Sequence, residues 1–445
     1  NTTNGITKNQ RFKYHGLVVN LGGLGSVGFL KTARSAWDTS DSFARIWNVS
    51  ENDALLRGAN IKSYSQLSTN TIIFNFLNAG DLTGVISSKI NQFSASTVNG
   101  LYKVQLDSQL EIDYPNNTAS EIKYQYEPNY LLPTTVTSKN YSSTFVTPSL
   151  QAIGTTIVNN FYDNNPSGIG SNYFIGRLTR TTTSINAYSN QQSSEEKYTY
   201  SNNKIIKTEK KGNTTDSVYL TEEFEYNPYG NVIKKTLSAP GSVPVVAPRV
   251  TEYTYDATQR YIKTVKDIEG LVSENLVFHP LYGLVMESKN PFGQITKSIY
   301  DSWGKRTKVT DYLNKNINYI YSKSGTTYTT TENSDDGSST KIFADALGRT
   351  VKKGKKNLDG QWSYVSIEYD ALGRKFRESE PYIGTTPVLW NTSEYDEYSR
   401  IKKSISATGL ETTLTYGNGV VQATDGLRTT KSVKNANGHM TSAQD

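Results

Sequence analysis

Three glycines near the start of the chain have the spacing of a dinucleotide-binding turn. Gly23, Gly25 and Gly28 spell G-x-G-x-x-G after an apolar run, and Glu51 follows 23 positions after Gly28, where a ribose ligand is expected. A nucleotide site also needs a helix whose N-terminus binds the pyrophosphate. The residues after Gly28 instead contain aromatic, strand-like stretches and a Ser/Thr/Asp-rich break. We therefore predict that these glycines, with Gly22, let strands kink or pack closely.

Other residue types that support catalysis are scarce or isolated. The 445 residues include no cysteine, which excludes disulfides, thiolate metal sites and cysteine nucleophiles. The three histidines, His15, His279 and His439, have no second ligand at metal-binding spacing. The pair Asp335 and Asp336 lies in a Ser/Gly-rich stretch typical of a solvated loop tip. No hydrolase, zincin or P-loop motif occurs, so we predict no catalytic residue, no metal, no cofactor and no enzymatic activity.

The charge balance favours no particular polyanion. The net charge is +6, from 47 basic and 41 acidic residues. The densest basic run, VKKGKK at 351–356, fits either a nucleic-acid contact or a solvated hairpin end, and we predict the hairpin end and no nucleic-acid partner. The longest apolar run, at 71–77, is too short to span a bilayer, so no transmembrane segment is expected.

A sequence motif recurs in the second half of the chain and indicates the structural elements that hold these residues. The pentapeptide DALGR occurs verbatim at Asp345–Arg349 and at Asp370–Arg374, each time after an aromatic or small apolar residue. Related copies place the aspartate-equivalent residue at 227, 256, 279, 301, 345, 370 and 396, and the successive differences are 29, 23, 22, 44, 25 and 26. The value of 44 indicates one degraded copy, near YIYSKSG at Tyr319. A constant period of this size indicates one structural unit repeated in tandem.

Each unit is predicted to hold two strands and two turns. Asp or Asn can accept a hydrogen bond from the backbone two residues on, and Gly three positions later takes a positive φ without steric cost. A weaker second turn signal recurs at Asp267, Asn290, Asn357 and Glu380. The tyrosine before Asp should pack on the sheet while the Arg or Lys after Gly points to water. We assign structural turn roles to Tyr300, Asp301, Gly304, Asp345, Gly348, Arg349, Tyr369, Asp370, Gly373, Arg374, Tyr395 and Asp396.

The flanking segments alternate aromatic or β-branched residues with polar ones, which is typical of half-buried strands. The 31 tyrosines against 14 phenylalanines suit sheet surfaces that are partly in water. A single hairpin cannot bury its own face, so neighbouring hairpins must stack. The sequence therefore predicts an all-β fold built as a long antiparallel ribbon of tandem β-hairpins.

These residues resemble the Rhs/YD-repeat family, whose unit is Tyr-Asp, two spacers, Gly and often Arg. The resemblance covers roughly residue 198 to the C-terminus, and YDALGR at Tyr369–Arg374 is its most specific copy. The segment Arg11–Trp37, with a glycine-rich stretch ending in Gly-Phe, resembles the region before the repeats in B components of bacterial insecticidal toxin complexes. The resemblance implies that the ribbon curls into part of a hollow shell or barrel.

The resemblance also implies a payload. Family toxin proteins enclose a C-terminal toxic domain and end the shell with a plug segment that cleaves itself at Asp-rich motifs such as D-P-x-G. No Asp-Pro occurs here, so we expect the chain to be a piece of a longer polypeptide with the payload elsewhere. The payload is then one expected partner, and secretion machinery, such as a type 9 translocon, is another. The expected location is secreted or on a bacterial cell surface.

Along the chain we predict a β-rich pre-repeat segment at 1–150, a loop-rich connection with one strand at 151–195, and the repeats at 196–445. We also predict a short helix at 50–59 capped by Ser50, a strand from Ser120, loops at 162–172 and 188–196, and a strand at 172–185 between those loops. All of these belong to one continuous β structure.

Two non-enzymatic functions remain open at this stage. The first is a shell wall that works through its shape. The second is extracellular adhesion or carbohydrate binding, with Trp303, Trp362, Trp390 and exposed tyrosines stacking on sugars. Cross-strand packing explains the same rings, and we favour it.

Overall fold

A computed structural model of the chain describes residues 2–3, 6–7, 9–22, 25–37, 45–68, 84–98, 101–187, 189–396, 398–417, 419–435 and 438–445. Gly23 and the whole apolar run at 71–77 lie outside the described residues. The described residues form β-strands and one turn of 3-10 helix, Gly170–Asn172, with no α-helix. The predicted all-β fold is confirmed.

The strands in the first half of the chain are long, and two of them reach 14 residues. They are β1 (Thr2–Thr3), β2 (Ile6–Thr7), β3 (Phe12–Asn20), β4 (Gly25–Ser35), β5 (Arg45–Asp53), β6 (Ala59–Ser68), β7 (Val85–Val98), β8 (Leu101–Asp113), β9 (Thr118–Tyr126), β10 (Pro133–Tyr141), β11 (Gly154–Asn165), β12 (Phe174–Ala187) and β13 (Asn190–Ser201).

The strands in the second half are shorter. They are β14 (Lys204–Lys211), β15 (Leu220–Tyr226), β16 (Val232–Ser238), β17 (Arg249–Tyr255), β18 (Ile262–Lys266), β19 (Val272–Phe278), β20 (Val285–Lys289), β21 (Ile295–Tyr300), β22 (Arg306–Thr310), β23 (Asn316–Ser324), β24 (Thr327–Ser334), β25 (Ser339–Ala344), β26 (Thr350–Lys356), β27 (Trp362–Tyr369), β28 (Lys375–Ser379), β29 (Tyr382–Ile383), β30 (Trp390–Tyr395), β31 (Ile401–Ile405), β32 (Glu411–Gly417), β33 (Val420–Thr424), β34 (Thr429–Lys434) and β35 (Met440–Gln444).

The 33 strands from β3 to β35 form one antiparallel sheet in which neighbours in sequence are neighbours in space. Strands β28 and β29 both pair with β27, so they act as one interrupted strand, and β30 continues the sheet from β28. Among the described residues, β3 pairs only with β4 and β35 only with β34, so the sheet is open at both ends. Strands β1 and β2 form a separate small hairpin.

Because consecutive strands alternate in direction, the turns fall on two edges of the ribbon. One edge, here called the Tyr–Asp edge, carries the turns that begin at Asn227, Asp256, Asp301, Asp345 and Asp370, among others. The second edge, here called the opposite edge, carries the turns that begin at Asp267, Asn290, Asp311 and Asn357. Each strand therefore crosses the ribbon from one edge to the other, and the width of the ribbon is the length of one strand.

The ribbon curls until the turn between β32 and β33 meets the turn between β8 and β9. The backbone N–H of Gly419, between β32 and β33, donates to Asn116 Oδ1, between β8 and β9, at 3.2 Å. With β28 and β29 counted as one, 23 strands lie between these turns, which at about 4.8 Å a strand is a path of roughly 110 Å. A closed circle of that length is roughly 35 Å across, which is far wider than a sheet needs to fill with its own side chains.

The exposed area agrees with a hollow arrangement. The accessible surface is 27187 Å², whereas a compact protein of 49.5 kDa exposes roughly 17,000 Å². Nine hydrophobic side chains are buried among the described residues, and eight of them precede residue 150. Trp47, Val49 and Tyr64 are the centre of one small core, and Ile112 and Tyr141 belong to another. The later strands form a single layer with almost no buried core.

Some local predictions were wrong. Ser50 lies inside β5, where it pairs with Thr32 and Ser63, so no helix begins there. The segment 54–58 is a turn closed by the Gly58 N–H, which donates to the Asp53 carbonyl at 2.9 Å. Helix propensity is a weak preference that pairing with strands on both sides overrides.

The predicted loops are also shorter than expected. Residues 162–165 belong to β11 and residues 190–196 to β13, although their Asn, Gln and Ser content is typical of loops. The run at 351–356 lies in β26, within the sheet, and is not a hairpin end. Glu380 opens a long connection to Leu389 that includes β29, instead of a tight turn. The strand predictions from Ser120 and at 172–185 are confirmed, by β9 and β12.

Candidate functional site

In four turns on the Tyr–Asp edge, the aspartate at the first position closes the turn with its own backbone and side chain. At 300–305 the Asp301 N–H donates to the Lys305 carbonyl at 2.8 Å, and the Gly304 N–H donates to the Asp301 carbonyl at 3.0 Å. Asp301 Oδ1 also accepts the N–H groups of Trp303 and Lys305, both at 2.9 Å. Gly304 has φ of +76°, in the left-handed region that glycine adopts most easily. The conformation of the turn is therefore determined within five residues.

The same pattern recurs at three turns further along. The Oδ1 atoms of Asp345, Asp370 and Asp396 each accept the N–H groups two and four residues on, at 2.8 to 3.0 Å. Gly348 and Gly373 hold the positive-φ position, with φ of +77° and +88°. The hairpin predicted near Tyr319 is present as β23 and β24.

The arginine of each turn folds back onto its aspartate. Arg349 Nε donates to Asp345 Oδ2 at 2.8 Å, and Arg374 Nε donates to Asp370 Oδ2 at 2.6 Å. The expectation that this arginine points to water is therefore wrong. Burial by itself raises the pKa of Asp345, but hydrogen bonds from Arg349 and from two backbone N–H groups outweigh it, and the pKa falls below its usual value.

The arginine also covers the tyrosine of the next repeat. The Arg349 guanidinium lies 4.5 Å from the ring centroid of Tyr369, and that of Arg374 lies 4.4 Å from the ring of Tyr395. A guanidinium over an aromatic face contributes about 0.5–2 kcal/mol. One repeat thus holds the ring of the next.

The tyrosine hydroxyl completes the connection between repeats. Tyr369 Oη donates to the carbonyl of Thr350 at 2.8 Å, and Thr350 lies five residues after Asp345 in the preceding turn. The same offset of five applies to other pairs of consecutive repeats. They are Tyr255 to Val232, Tyr321 to Arg306, Tyr395 to Lys375 and Tyr416 to Ile401. We call this hydroxyl–carbonyl bond the tyrosine latch.

Sequence reasoning assigned the tyrosine to the sheet surface but missed its acceptor. A backbone carbonyl has no residue signature, so composition could not reveal it. The constant offset from the preceding aspartate is a signal that a register argument could have used. Together, Tyr, Asp, Gly and Arg form a structural joint repeated along one edge.

The glycine-rich segment is a hairpin between β3 and β4. Asn20 Oδ1 accepts the Gly22 N–H at 2.8 Å, and Gly28 has φ of +107° opposite Val18, next to a bulge. Gly25 begins β4, which continues as a strand to Ser35. Since no helix follows Gly28, the arrangement lacks the N–H cluster that holds a pyrophosphate. Glu51 instead pairs with Lys31 across the sheet, at 3.4 Å.

The remaining candidate residues do not converge. His279 stacks on Tyr282 with centroids 5.0 Å apart, while His15 lies in β3 and His439 in the last turn. No group of three or more His, Asp or Glu residues that could hold a metal occurs in the described part of the chain. Asp336 Oδ1 accepts the Ser338 N–H in a tight turn, which confirms the predicted loop tip.

The three tryptophans proposed for sugar binding lie apart. Trp303 is 83% exposed at a turn tip on the Tyr–Asp edge. Trp362 stacks with Tyr364 on a sheet face, and Trp390 lies under the Arg377 guanidinium at 4.2 Å. They therefore do not form one platform.

A cavity lies where the curled ribbon meets itself. It has a volume of about 1290 Å³ and is bounded on one side by turns of the opposite edge, including Asn116 and Ser142. On the other side it is bounded by turns of the Tyr–Asp edge, including Gly419, Lys434 and Thr441. We call this region the seam. A second hollow of about 760 Å³ crosses strands β5 to β10, and six serines are among the residues that line it.

The fold of this chain is similar to that of solved structures, although its sequence has no detected relative. No protein-family model matches the sequence, and no curated protein matches it. Among solved structures, the crystal structure of TcdB2-TccC3 is similar over 97% of this chain and 32% of its own, with a TM-score of 0.71 and 9% identity. TcdB2-TccC3 without its hypervariable C-terminal region has the same TM-score and identity and is covered over 34% of its length. The Photorhabdus luminescens Tc holotoxin pore is similar with a TM-score of 0.70 and 8% identity, over 97% of this chain and 34% of its own.

The chain thus spans about a third of the length of the structures it matches. At this identity the likeness concerns the fold alone, which is a long antiparallel β-sheet. The described residues include no helix with the length and hydrophobicity of a membrane span.

Proposed function

We propose that this chain is a segment of the shell wall of a large Rhs/YD-repeat protein. Its working feature is the enclosed space, and the Tyr–Asp joints keep the wall continuous. The observation that carries the proposal is the seam, where Gly419 reaches Asn116 after one circuit of the ribbon. A flat or twisted ribbon has no reason to bring turns 303 residues apart into hydrogen-bonding distance.

The energetics of the wall support a structural role. The repeats that begin at Asp345, Asp370 and Asp396 are each joined to the next by ladder hydrogen bonds, a tyrosine latch and a guanidinium–ring contact. These connections are between neighbours, as in repeat proteins whose stability is a sum of units and interfaces. A wall of this kind can be hollow, because it does not depend on a central hydrophobic core.

The payload, the export route and the location are further parts of the proposal. The payload would be a toxic domain of the same polypeptide, outside these residues, and the whole protein would be secreted or held on a bacterial surface. Secretion machinery, such as a type 9 translocon, would be a partner. The similar structures include a Photorhabdus luminescens Tc holotoxin pore, which supports this direction. The boundaries at 150 and 195 stay predictions.

Small-angle scattering and imaging test the shell. A compact protein of 445 residues has a radius of gyration of roughly 22 Å, and its unfolded chain roughly 78 Å. We expect a value clearly above the compact figure and far below the unfolded one, with a central region of low density in electron micrographs. A solid particle of the compact size would contradict the shell.

The coding sequence beyond Asp445 tests the payload. We expect it to encode further shell, a plug segment and a separate folded domain. A sorting or surface-attachment domain in that place would contradict payload enclosure and leave the shell fold intact.

Adhesion remains the second candidate. It predicts glycan-array binding that is lost when Trp303, Trp362 and Trp390 are each changed to Ala. Because these tryptophans lie apart, they offer no shared platform on which one sugar chain could stack.

A further inference from the structure

An unusual cluster of lysines and rings lies on one face of strands β25 to β29. Cross-strand partners share a face, and so do residues two apart in a strand. By this rule one face carries Gly354, Lys356 and Ser366 and, beside them, six residues that are here called the Lys–aromatic patch. They are Lys341, Phe343, Lys352, Trp362, Tyr364 and Tyr382.

The rings of the patch lie flat because of one glycine. Trp362 and Tyr364 are nearly parallel, with 15° between their planes and 6.1 Å between centroids. Gly354 in β26 pairs with Tyr364, and a Cβ at this position would lie 2.7 Å from Tyr364 Cε1 and 3.2 Å from Trp362 Cε3. The rings therefore occupy the space that any other residue at 354 would fill.

The lysines of the patch contact rings instead of carboxylates. Lys341 Nζ lies 4.2 Å from the ring centroid of Trp362, and Lys352 Nζ lies 3.9 Å from that of Tyr364. Within the described residues neither lysine forms an ion pair. Elsewhere in the sheet, lysines pair with glutamates across strands, as Lys266 does with Glu252 at 2.9 Å.

The charge around the patch is correspondingly unbalanced. Residues 339–369 contain six basic and three acidic residues, a net charge of +3, which is half of the +6 carried by the whole chain. Two of the three acids already pair with arginines, since Asp345 binds Arg349 and Glu368 binds Arg377. The ammonium groups of Lys341 and Lys352 are thus held in place with their charge uncompensated.

We propose that the Lys–aromatic patch is a binding site for an acidic polysaccharide, whose carboxylate or sulfate groups pair with Lys341 and Lys352. On a sheet face the backbone groups are already bonded in the ladder, so a peptide could not add a strand there. The face offers ammonium groups, ring edges and the bonded hydroxyls of Ser366 and Tyr382, 2.7 Å apart. Sugar hydroxyls and acidic groups are complementary to that set.

Single-stranded nucleic acid fits less well. Its affinity depends on bases stacking on free aromatic faces. Here Gly354 lies against one side of the paired rings, and lysine ammonium groups lie over the faces of Trp362 and Tyr364. An anionic group can bind an ammonium in this position without displacing it.

Titration calorimetry on the whole chain tests the proposal, with size-defined heparin oligosaccharides and oligogalacturonate as probes and dextran as the neutral control. We expect saturable binding of the acidic sugars that weakens as salt is added. The double variant Lys341→Gln/Lys352→Gln should raise the Kd at least tenfold. The matched control Lys353→Gln/Lys355→Gln removes the same charge from the opposite face of β26 and should leave the Kd within twofold.

A second variant separates geometry from charge. Gly354→Ala keeps every lysine but displaces the rings, so it should weaken binding while circular dichroism shows an intact sheet. Equal losses in the two double lysine variants would reduce the effect to net charge and overturn the proposal, as would absence of saturable binding. Tighter binding of oligo-dT or of a polyglutamate peptide at equal charge and salt would overturn the ligand class. None of these outcomes depends on whether the shell is hollow.

Discussion

The backbone N–H of Gly419 donates to the side-chain oxygen of Asn116 at 3.2 Å, although 303 residues separate them. Both residues lie in hairpin turns, but on different edges of the ribbon. The contact therefore shows that the ribbon curls as a helix and not as a flat ring. The Tyr–Asp edge of one coil meets the opposite edge of the neighbouring coil. Along the ribbon, in contrast, ladders of backbone hydrogen bonds join neighbouring strands of the sheet.

Spin labels on either side of the seam should report a short distance. Because the chain has no cysteine, Ser142→Cys and Thr441→Cys can be labelled alone. Both line the seam cavity, so we expect a distance well within the range of double electron–electron resonance. An uncurled ribbon would place the labels roughly 110 Å apart, and a distance of that order would refute the closure. Singly labelled proteins control for contacts between molecules.

Removing one tyrosine latch should destabilise the sheet locally. Tyr369→Phe deletes the hydroxyl that bonds to the Thr350 carbonyl and should lower the free energy of unfolding by about 1 kcal/mol, the usual value of such a bond. Chemical denaturation measures this change. Tyr229→Phe is the matched control, since Tyr229 is 76% exposed at a turn tip and its variant should unfold like the wild type.

The turn should require glycine at position 304 because of the positive φ there, and not because a side chain would collide with its neighbours. Gly304 has φ of +76°, and a Cβ there would meet its nearest neighbours at an ordinary 3.5 Å. We expect Gly304→Ala to cost about 1 kcal/mol of stability. At Gly417, which lacks a positive φ and has open space around it, alanine should be neutral. Equal costs at the two positions in thermal unfolding would show that the turn conformation is not the cause.

Acid should weaken the turns on the Tyr–Asp edge. Hydrogen bonds from the Thr258 hydroxyl and from the backbone N–H of Tyr261 lower the pKa of Asp256 to about 2, from 3.8. A depressed folded-state pKa means that the carboxylate stabilises the fold above about pH 4 and loses this effect as the pH falls towards 2.

The stability difference between the wild type and Asp256→Asn should therefore shrink over that pH interval, as followed by urea unfolding. Asn290 begins a turn on the opposite edge, where an amide oxygen that does not titrate accepts the N–H groups of Phe292 and Gln294. The reverse change, Asn290→Asp, should introduce a pH dependence of the same sign. A difference that is independent of pH in both variants would mean that the charge plays no part.

The local structure of this protein is largely readable from its residues. The DALGR turns form as predicted because an aspartate oxygen, two N–H groups and one glycine lie within five positions. The predictions that failed were also local. Ser50 has the features of a helix cap and the run at 351–356 those of a hairpin end, but pairing with neighbouring strands placed both inside the sheet.

The identity of each residue determined the turns and the alternation of the strands, and these made an all-β ribbon inevitable. The acceptor of each tyrosine latch, the flattening of Trp362 over Gly354 and the meeting of Gly419 with Asn116 were decided by the tertiary structure. The physical reason is that curvature accumulates from a small rotation at each strand. No single repeat contains it, and only the sum over a full coil determines where the ribbon meets itself.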